Sequence, residues 1–261
     1  MIVKGAGDGS SVPESLTAAA LLPDLYRADL SYGWNAGMRA VTLAMLDGVA
    51  MPDGPLLEAG CGGGQMLAEL GRRYPHRALW GIDLHPLALA YAQARLAGRA
   101  GLVCASLEQT PFPAQQFALV LALDSFDQEG VDLAAALAES YRLLRPGGRL
   151  VVRVSAHPQL YGEHDRAFHT GRRYTRREVV GAMASAGFVT ARVTYSNLLL
   201  GAPVAGLRLL QRRRVIPWQP EVYAGSTVNR LVAWALAREA SWLRRADLPL
   251  GLSLWAVGEK R

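Results

Sequence analysis

The run Glu58-Ala59-Gly60-Cys61-Gly62-Gly63-Gly64 follows the apolar pair Leu56-Leu57 and precedes a stretch with helical pattern. Glycines in a strand-to-helix turn permit a tight backbone and let main-chain amides approach a ligand closely. The amides that open the next helix then favour a negative group. A nucleoside-triphosphate loop would need Lys-Ser or Lys-Thr after the glycines, and Gln65-Met66 stand there instead. Asp83 lies 19 residues beyond Gly64, in Gly81-Ile82-Asp83-Leu84-His85-Pro86, where the next apolar run ends. A carboxylate at such a place accepts both hydroxyl hydrogens of an adenosine ribose. The two features together point to an adenosine-bearing ligand.

Such residues must be brought together by strands that end on one edge of a sheet. Apolar runs at 56–60, 78–83, 101–106, 117–124, 149–155 and 252–258 read as strands. Residues 64–73, a segment closing near Arg95, and residues 131–144, 175–188 and 227–245 read as helices. Two further helices are expected before the first of these strands, from about Pro13 to Leu30 and from about Asn35 to Leu46. Apolar runs joined by helical crossovers mark an α/β fold with a buried parallel sheet. The Gly- and Ser-rich first dozen residues read as a mobile end, and 197–225 as an irregular basic and aromatic insertion.

Three segments in order, LLEAGCGGG, GIDLHP and LLRPGGRLVV across residues 56–152, resemble the class I S-adenosylmethionine-dependent methyltransferases. The resemblance implies a Rossmann-like fold: a seven-stranded, mostly parallel sheet with helices on both faces. It also implies a final antiparallel strand and a lid or insertion after the fifth strand. S-adenosyl-L-methionine is the implied cofactor. Glu58, Gly60, Cys61 and Gly62 would face its methionine part, Asp83 its ribose, and Leu84 its adenine. Ser106 and Leu107, in ASLEQTPFP, stand where the family often has an Asp for the adenine amine. FALVLALDSFDQ places Asp124 and Ser125 by the methyl-transfer centre, with Ala118 and Gln128 in place of the Asp and His of the common form.

Methyl transfer needs no base when the acceptor is already nucleophilic, because alignment with the sulfonium methyl suffices. A phenol, hydroxyl or carbon acid needs a proton removed. The candidates for that proton transfer are His157, His164, Asp165, His169 and Tyr174 in SAHPQLYGEHDRAFHTGRRYT. Each can equally brace a loop, and the spacing of His164, Asp165 and His169 is weak for a metal, so no metal is assigned. This stretch resembles a methyltransferase branch with His164-Asp165-Arg166 followed by Arg172-Arg173-Tyr174-Thr175. The likeness continues through YSNLLL at 195–200 and the late LPLGLSLWAV segment. Arg166, Arg172 and Arg173 either bind an anionic acceptor or tie a lid to the body.

The 261 residues are expected to form a single domain. Its parts would be a helical cap at 1–50, a cofactor core at 51–155, an acceptor lid and insertion at 156–225, and a final helix and strand at 226–261. A composition 51% hydrophobic and 19% charged disfavours disorder, and two cysteines exclude a disulfide-dense scaffold. The N-terminus lacks signal-peptide pattern, which makes a cytoplasmic location the expectation. Residues 1–141 carry 8 Lys or Arg against 15 Asp or Glu, whereas 142–261 carry 20 against 7. That asymmetry suits an anionic small molecule, an anionic lipid surface or nucleic acid.

The expected partner is a small, hydrophobic or anionic acceptor, with weak membrane-surface contact as a second reading. Nucleic acid is disfavoured, since no separate RNA-binding module or Asn/Asp-Pro-Pro-aromatic signature occurs. The rival readings are an RNA methyltransferase, a noncatalytic cofactor-binding or complex-assembly protein, and a nicotinamide oxidoreductase.

Overall fold

The structure is a computed structural model that describes residues 2–4, 33–212 and 226–261. In chain order the elements are β1 (Ile2–Lys4), α1 (Gly33–Leu46), β2 (Leu56–Ala59), α2 (Gln65–Arg73), β3 (Leu79–Asp83) and α3 (Pro86–Leu96). There follow β4 (Gly101–Cys104), β5 (Phe117–Leu123), α4 (Leu133–Leu143), β6 (Leu144–Ser155), α5 (Glu163–Ala167) and α6 (Arg176–Ser185). The chain closes with β7 (Val189–Ser196), α7 (Leu198–Arg212), α8 (Ser226–Leu243) and β8 (Ser253–Glu259).

The strands form one sheet in the order β1-β4-β3-β2-β5-β6-β8-β7. Only β8 runs antiparallel to its neighbours, β6 and β7. Side chains along β5 alternate between two cores. Leu119 and Leu121 join α1, α2, α3 and α8 on one face, while Val120 and Ala122 join α4 and α6 on the other. A strand with both faces covered shows no polar alternation, which is why FALVLAL reads as one apolar run.

The expected seven strands are present, and β1 adds an eighth. Its pairing of Ile2 with Leu102 and Lys4 with Cys104 satisfies main-chain groups on the outer edge of β4. The start of the chain is therefore partly strand rather than wholly a mobile end. β7 was not placed by the sequence reading, although Val189-Thr190-Ala191-Arg192-Val193-Thr194-Tyr195 has the apolar/polar alternation of a half-buried strand. With α6 it belongs to the sheet and its cover, so residues 176–196 are core rather than lid. The helix expected from about Pro13 to Leu30 and the Pro217–Pro220 segment lie outside the described residues.

Residues 198–212 are a helix, not an irregular insertion. The reason lies 40 residues away in sequence. Glu239 of α8, 1% exposed, accepts main-chain N–H groups of Asn197, of Leu198 at 2.8 Å and of Leu199 at 3.3 Å. Those amides open α7 and have no intrahelical acceptor, so a carboxylate supplied by another helix caps them. Helix α8 is itself seated on α1. The Gly33 N–H donates to Asn229 Oδ1 at 2.6 Å, and a side chain at Gly37 would stand 2.5 Å from Leu236 Cβ. The side chain of Arg244 reaches Asp47 beyond the other end of α1 at 2.6 Å, so the two helices run parallel.

Removing the remote cap should cost more than a surface substitution. Glu239→Ala is expected to lower unfolding free energy by about 2 kcal/mol, and Glu239→Gln, which keeps an acceptor, by less than about 1 kcal/mol. Urea denaturation of the two variants beside wild type measures both.

Candidate functional site

The strand order places a switch point between β2 and β5. From β2 the chain winds outward through β3 to β4, then returns to β5 and winds the other way. Crevices of this kind sit at the carboxyl ends of the strands and serve as ligand sites in α/β sheets. The glycine turn occupies this crevice. Gly60 and Cys61 both donate N–H groups to Ile82 O, at 2.8 and 2.9 Å, which ties the turn to the end of β3. Gly60 and Gly62 have φ of 78° and 50°, a region that L side chains disfavour. A Cβ on Gly60 would stand 2.5 Å from the Cβ of Ser125, whose hydroxyl donates to Ala59 O at 2.8 Å. The two sides of the crevice thus meet at one serine.

Asp83 is fixed by two main-chain amides. Oδ2 accepts the Gly62 N–H at 2.9 Å and Oδ1 the His85 N–H at 2.9 Å. The His85 imidazole lies 3.4 Å from the same Oδ1, and that hydrogen bond raises its pKa. Leu84 is 57% exposed next to this carboxylate. Glu58 is buried at 4% within β2. Burial, with the carboxylates of Glu58 and Asp83 beside it, pushes the Cys61 thiol far above its ordinary range, so the sulfur stays neutral. Ser106 Oγ accepts the Glu108 N–H at 3.2 Å and closes the turn after β4, with Leu107 packed on the α4-side core. These residues fit an adenosine-bearing cofactor: a turn without side chains, a carboxylate held at the next strand end, and an exposed apolar side chain beside it.

Asp124, at the end of β5, has a left-handed φ of 50°. Its Oδ1 accepts the Arg153 Nε–H at 2.8 Å and its Oδ2 a second guanidinium N–H, while Arg153 lies over the Trp255 ring at 5.3 Å. Gln128 Nε2 donates to Asp124 O at 3.0 Å. The carboxylate at the expected methyl-transfer centre is therefore oriented by a bidentate arginine.

The segment from Ala156 to Tyr174 is sewn to these strand ends. Tyr174 N–H donates to Ser155 O at 2.8 Å, His157 N–H to Tyr174 O at 3.1 Å, and Gly171 N–H to Asp127 O at 2.7 Å. His157 stacks on Tyr195 with ring centroids 5.5 Å apart and an interplanar angle of 5°. His164 lies against Phe168 at 4.6 Å, and His169 Nδ1 is 3.3 Å from Glu129 Oε2. Asp165, 1% exposed, takes Arg173 Nε and Nη2 on Oδ1 at 2.9 and 2.6 Å and the Gly162 N–H on Oδ2 at 2.8 Å. Arg173 also donates to Ala156 O at 2.9 Å. Of the two readings of these arginines, Arg173 follows the tie. Arg172 pairs with Glu178 and covers the Tyr174 ring at 4.6 Å. Burial raises the Tyr174 phenol, which keeps its proton at neutral pH.

Asp127 was quoted in the sequence but given no role. It is 1% exposed, Oδ2 accepts the Ser155 N–H at 2.7 Å, and Oδ1 is buried without a hydrogen-bond partner among the described residues. Burial, then the negative charge of Asp124, raises its pKa to about 6. No local pattern marks it, because its burial depends on β6 and the 171–174 segment folding over it. Among the described residues, no group of three or more His, Cys, Asp or Glu is placed to hold a metal ion. A depression of about 560 Å³ lined by Thr110, Phe112, Glu139 and Arg142 lies at the opposite, amino-terminal side of β5, where Arg142 O accepts the Gln115 N–H.

The methyltransferase-domain family matches residues 57–152. A protein of Bacillus subtilis (strain 168) named uncharacterized methyltransferase YodH is 37% identical over 127 residues, which cover 46% of this chain and 51% of that protein. A malonyl-[acyl-carrier protein] O-methyltransferase of Herminiimonas arsenicoxydans is 32% identical over 170 residues, covering 62% and 64% respectively. The chain thus spans about half to two thirds of the length of these curated relatives. Geranyl diphosphate C-methyltransferase from Streptomyces coelicolor A3(2), solved with Mg2+, geranyl diphosphate and S-adenosyl-L-homocysteine, shares the fold. The TM-score is 0.59 at 18% identity, over 86% of this chain and 77% of that one.

The buried acid at Asp127 makes stability depend on pH with a definite sign. Its folded pKa lies above the unfolded value, so its favourable contribution is complete below about pH 4 and is lost as pH rises toward 6. Asp127→Asn, which cannot ionise, should exceed wild type in stability by roughly 3 kcal/mol at pH 7.5 and match it near pH 4. Urea titrations at both pH values measure the difference, and one that stays constant between them contradicts the assignment.

Proposed function

We propose, from the methyltransferase-domain match over residues 57–152, that the protein is a class I S-adenosylmethionine-dependent methyltransferase that transfers a methyl group to O, N or C of a small hydrophobic or anionic acceptor. The observation that carries this reading is the closed arrangement at the switch point. There Asp83 is fixed by the Gly62 and His85 amides beside a turn kept free of side chains. S-adenosylmethionine, when bound, supplies a methyl group made electrophilic by a positive sulfonium.

In this reading the main chain at Gly60, Cys61 and Gly62, with the buried Glu58, holds the amino-acid end of the cofactor. Asp83 takes the ribose hydroxyls, and Leu84, Ser106 and Leu107 border the adenine. Asp124, held by Arg153, faces the reacting centre and orients the acceptor or the cofactor's amino group. Closing the crevice excludes water and aligns the acceptor for in-line attack.

The acceptor side is assigned to the segment that follows β6. An acceptor that is already an anion needs only orientation, whereas a phenol or carbon acid needs its proton removed. His157, just past β6, and His169, beside Glu129 in the connection after β5, are the groups proposed to take that proton. His164 lines the same segment. Tyr174 is proposed as a hydrogen-bond donor to the acceptor, and Asp165 acts through Arg173 as a positioning residue. The similar proteins are named for O-methylation of a malonyl group on a carrier and for C-methylation of geranyl diphosphate. The excess of positive charge after residue 141 and the exposed Arg166, set over Tyr161 at 5.9 Å, support an acceptor with an anionic group.

Calorimetric titration with S-adenosylmethionine and S-adenosylhomocysteine, wild type beside Asp83→Ala, tests the cofactor half. The variant should bind at least tenfold more weakly, about 1.4 kcal/mol or more. Folded protein that binds neither ligand removes the enzyme reading and leaves a methyltransferase-like scaffold. Competition by NAD would transfer the site to a nicotinamide enzyme. Methyl incorporation into malonyl thioesters and prenyl diphosphates tests the acceptor half, and salt-sensitive methylation of RNA would select the other substrate class.

A further inference from the structure

Helix α8 has two faces of different chemistry. Leu236, Ala240 and Leu243 are buried against α1 and the sheet, and Glu239 is buried on the start of α7. The opposite face carries Leu231 at 59% exposure, Trp234 at 61% and Trp242 at 54%, with Val228 at 48% beside them. Positions 231, 234, 238 and 242 are neighbours at helical spacing, so these side chains form one stripe rather than scattered exposed apolar residues. Arginines line it: Arg230, Arg238 and Arg245 are exposed, and Arg238 lies over the Trp234 ring at 5.9 Å. The helix has no exposed acidic residue, since Glu239 is its only carboxylate.

The stripe also has a place relative to the proposed site. Glu239 meets Asn197 and Leu198 just past the end of β7, level with the carboxyl edge of the sheet. The turns of α8 before Glu239 therefore rise above that edge, over a length of about 20 Å. Val228, Leu231 and Trp234 stand on this raised part, on the same side of the sheet as the glycine turn.

We propose that the outer face of α8 docks the protein on an anionic lipid bilayer, with Leu231, Trp234 and Trp242 in the interface and Arg230, Arg238 and Arg245 on acidic headgroups. Tryptophans favour the headgroup level, where an apolar ring with a polar N–H is satisfied at both ends. Arginines beside them are drawn to the negative surface, and their stems cover apolar area. A helix of this kind lies in the interface and does not cross it; no helix among the described residues is long and apolar enough to span a membrane. An anionic bilayer meets both features at once, its headgroups taking the arginines and its interface the tryptophans.

The test is sedimentation of the full chain with large unilamellar vesicles, of phosphatidylcholine alone or with about 30% phosphatidylglycerol. Wild type should partition at least about tenfold more strongly onto the anionic vesicles. The pair Trp234→Ser and Trp242→Ser should lower that partition by about tenfold or more, and Arg230→Glu with Arg238→Glu should abolish the preference for acidic lipid. All four positions are on the solvent side of α8, so unchanged thermal unfolding and cofactor binding will certify folded variants. Absence of partition on anionic vesicles overturns the proposal, as does partition that neither variant changes. So would a self-association or an association with acidic acyl-carrier protein that the variants break while vesicles go unbound. The vesicle measurement involves no cofactor, so its failure leaves the methyl-transfer reading standing, and failure of cofactor binding leaves this surface standing.

Discussion

Reversal of strand order between β2 and β5 is the constraint on which the rest of the structure rests. Parallel strands joined by crossover helices must all finish on one edge, and a reversal in winding opens a crevice there that no helix fills. The glycine turn after β2 and the Asp124-Ser125 step after β5 are its two sides, joined by the hydroxyl of Ser125 on Ala59 O. Every residue assigned to the cofactor lies within β2, at the end of β3 or in a connection on this edge. The chemistry is possible because the backbone there is tight and stripped of side chains, while Asp83 is placed by amides rather than by chance rotamers.

Around and beyond β6 the architecture relies on buried carboxyl groups. Asp165 with Arg173 fixes the 156–174 segment, Asp127 joins β5 to β6 through the Ser155 N–H, and Glu239 starts α7. A buried ion pair is weak evidence for stability, because desolvation offsets most of the attraction. It does specify a single arrangement, since breaking either partner strands a charge. That is a suitable property for a segment whose regular structure is short, with His164 on helix α5 and His157 and His169 outside it.

The cofactor side was legible because its signals are local. LLEAGCGGG and GIDLHP combine strand, turn and carboxylate within short windows, and the backbone requirement for glycine is written in the residues themselves. The apolar runs of β3, β5 and β6 were equally plain. β7 escaped because its half-buried alternation is weaker than a continuous apolar run, and α7 because its capping carboxylate stands on another helix. The pairing of Asp165 with Arg173 rather than with a neighbouring histidine was also beyond reach of spacing alone, since several partners satisfy the same interval.

The sequence by itself determined an α/β sheet, a glycine turn and a carboxylate at the ends of β2 and β3, and a charge asymmetry between the two parts of the chain. Period, turn chemistry and composition act over a few residues, so they survive without coordinates. Only the tertiary structure decided which carboxylates are buried, which arginines are already paired, and which helix turns a tryptophan stripe to solvent. Those outcomes depend on desolvation and on partners from 6 to 197 residues away. Neither is a property of any window of sequence; both arise when the sheet closes and its covering helices take their places.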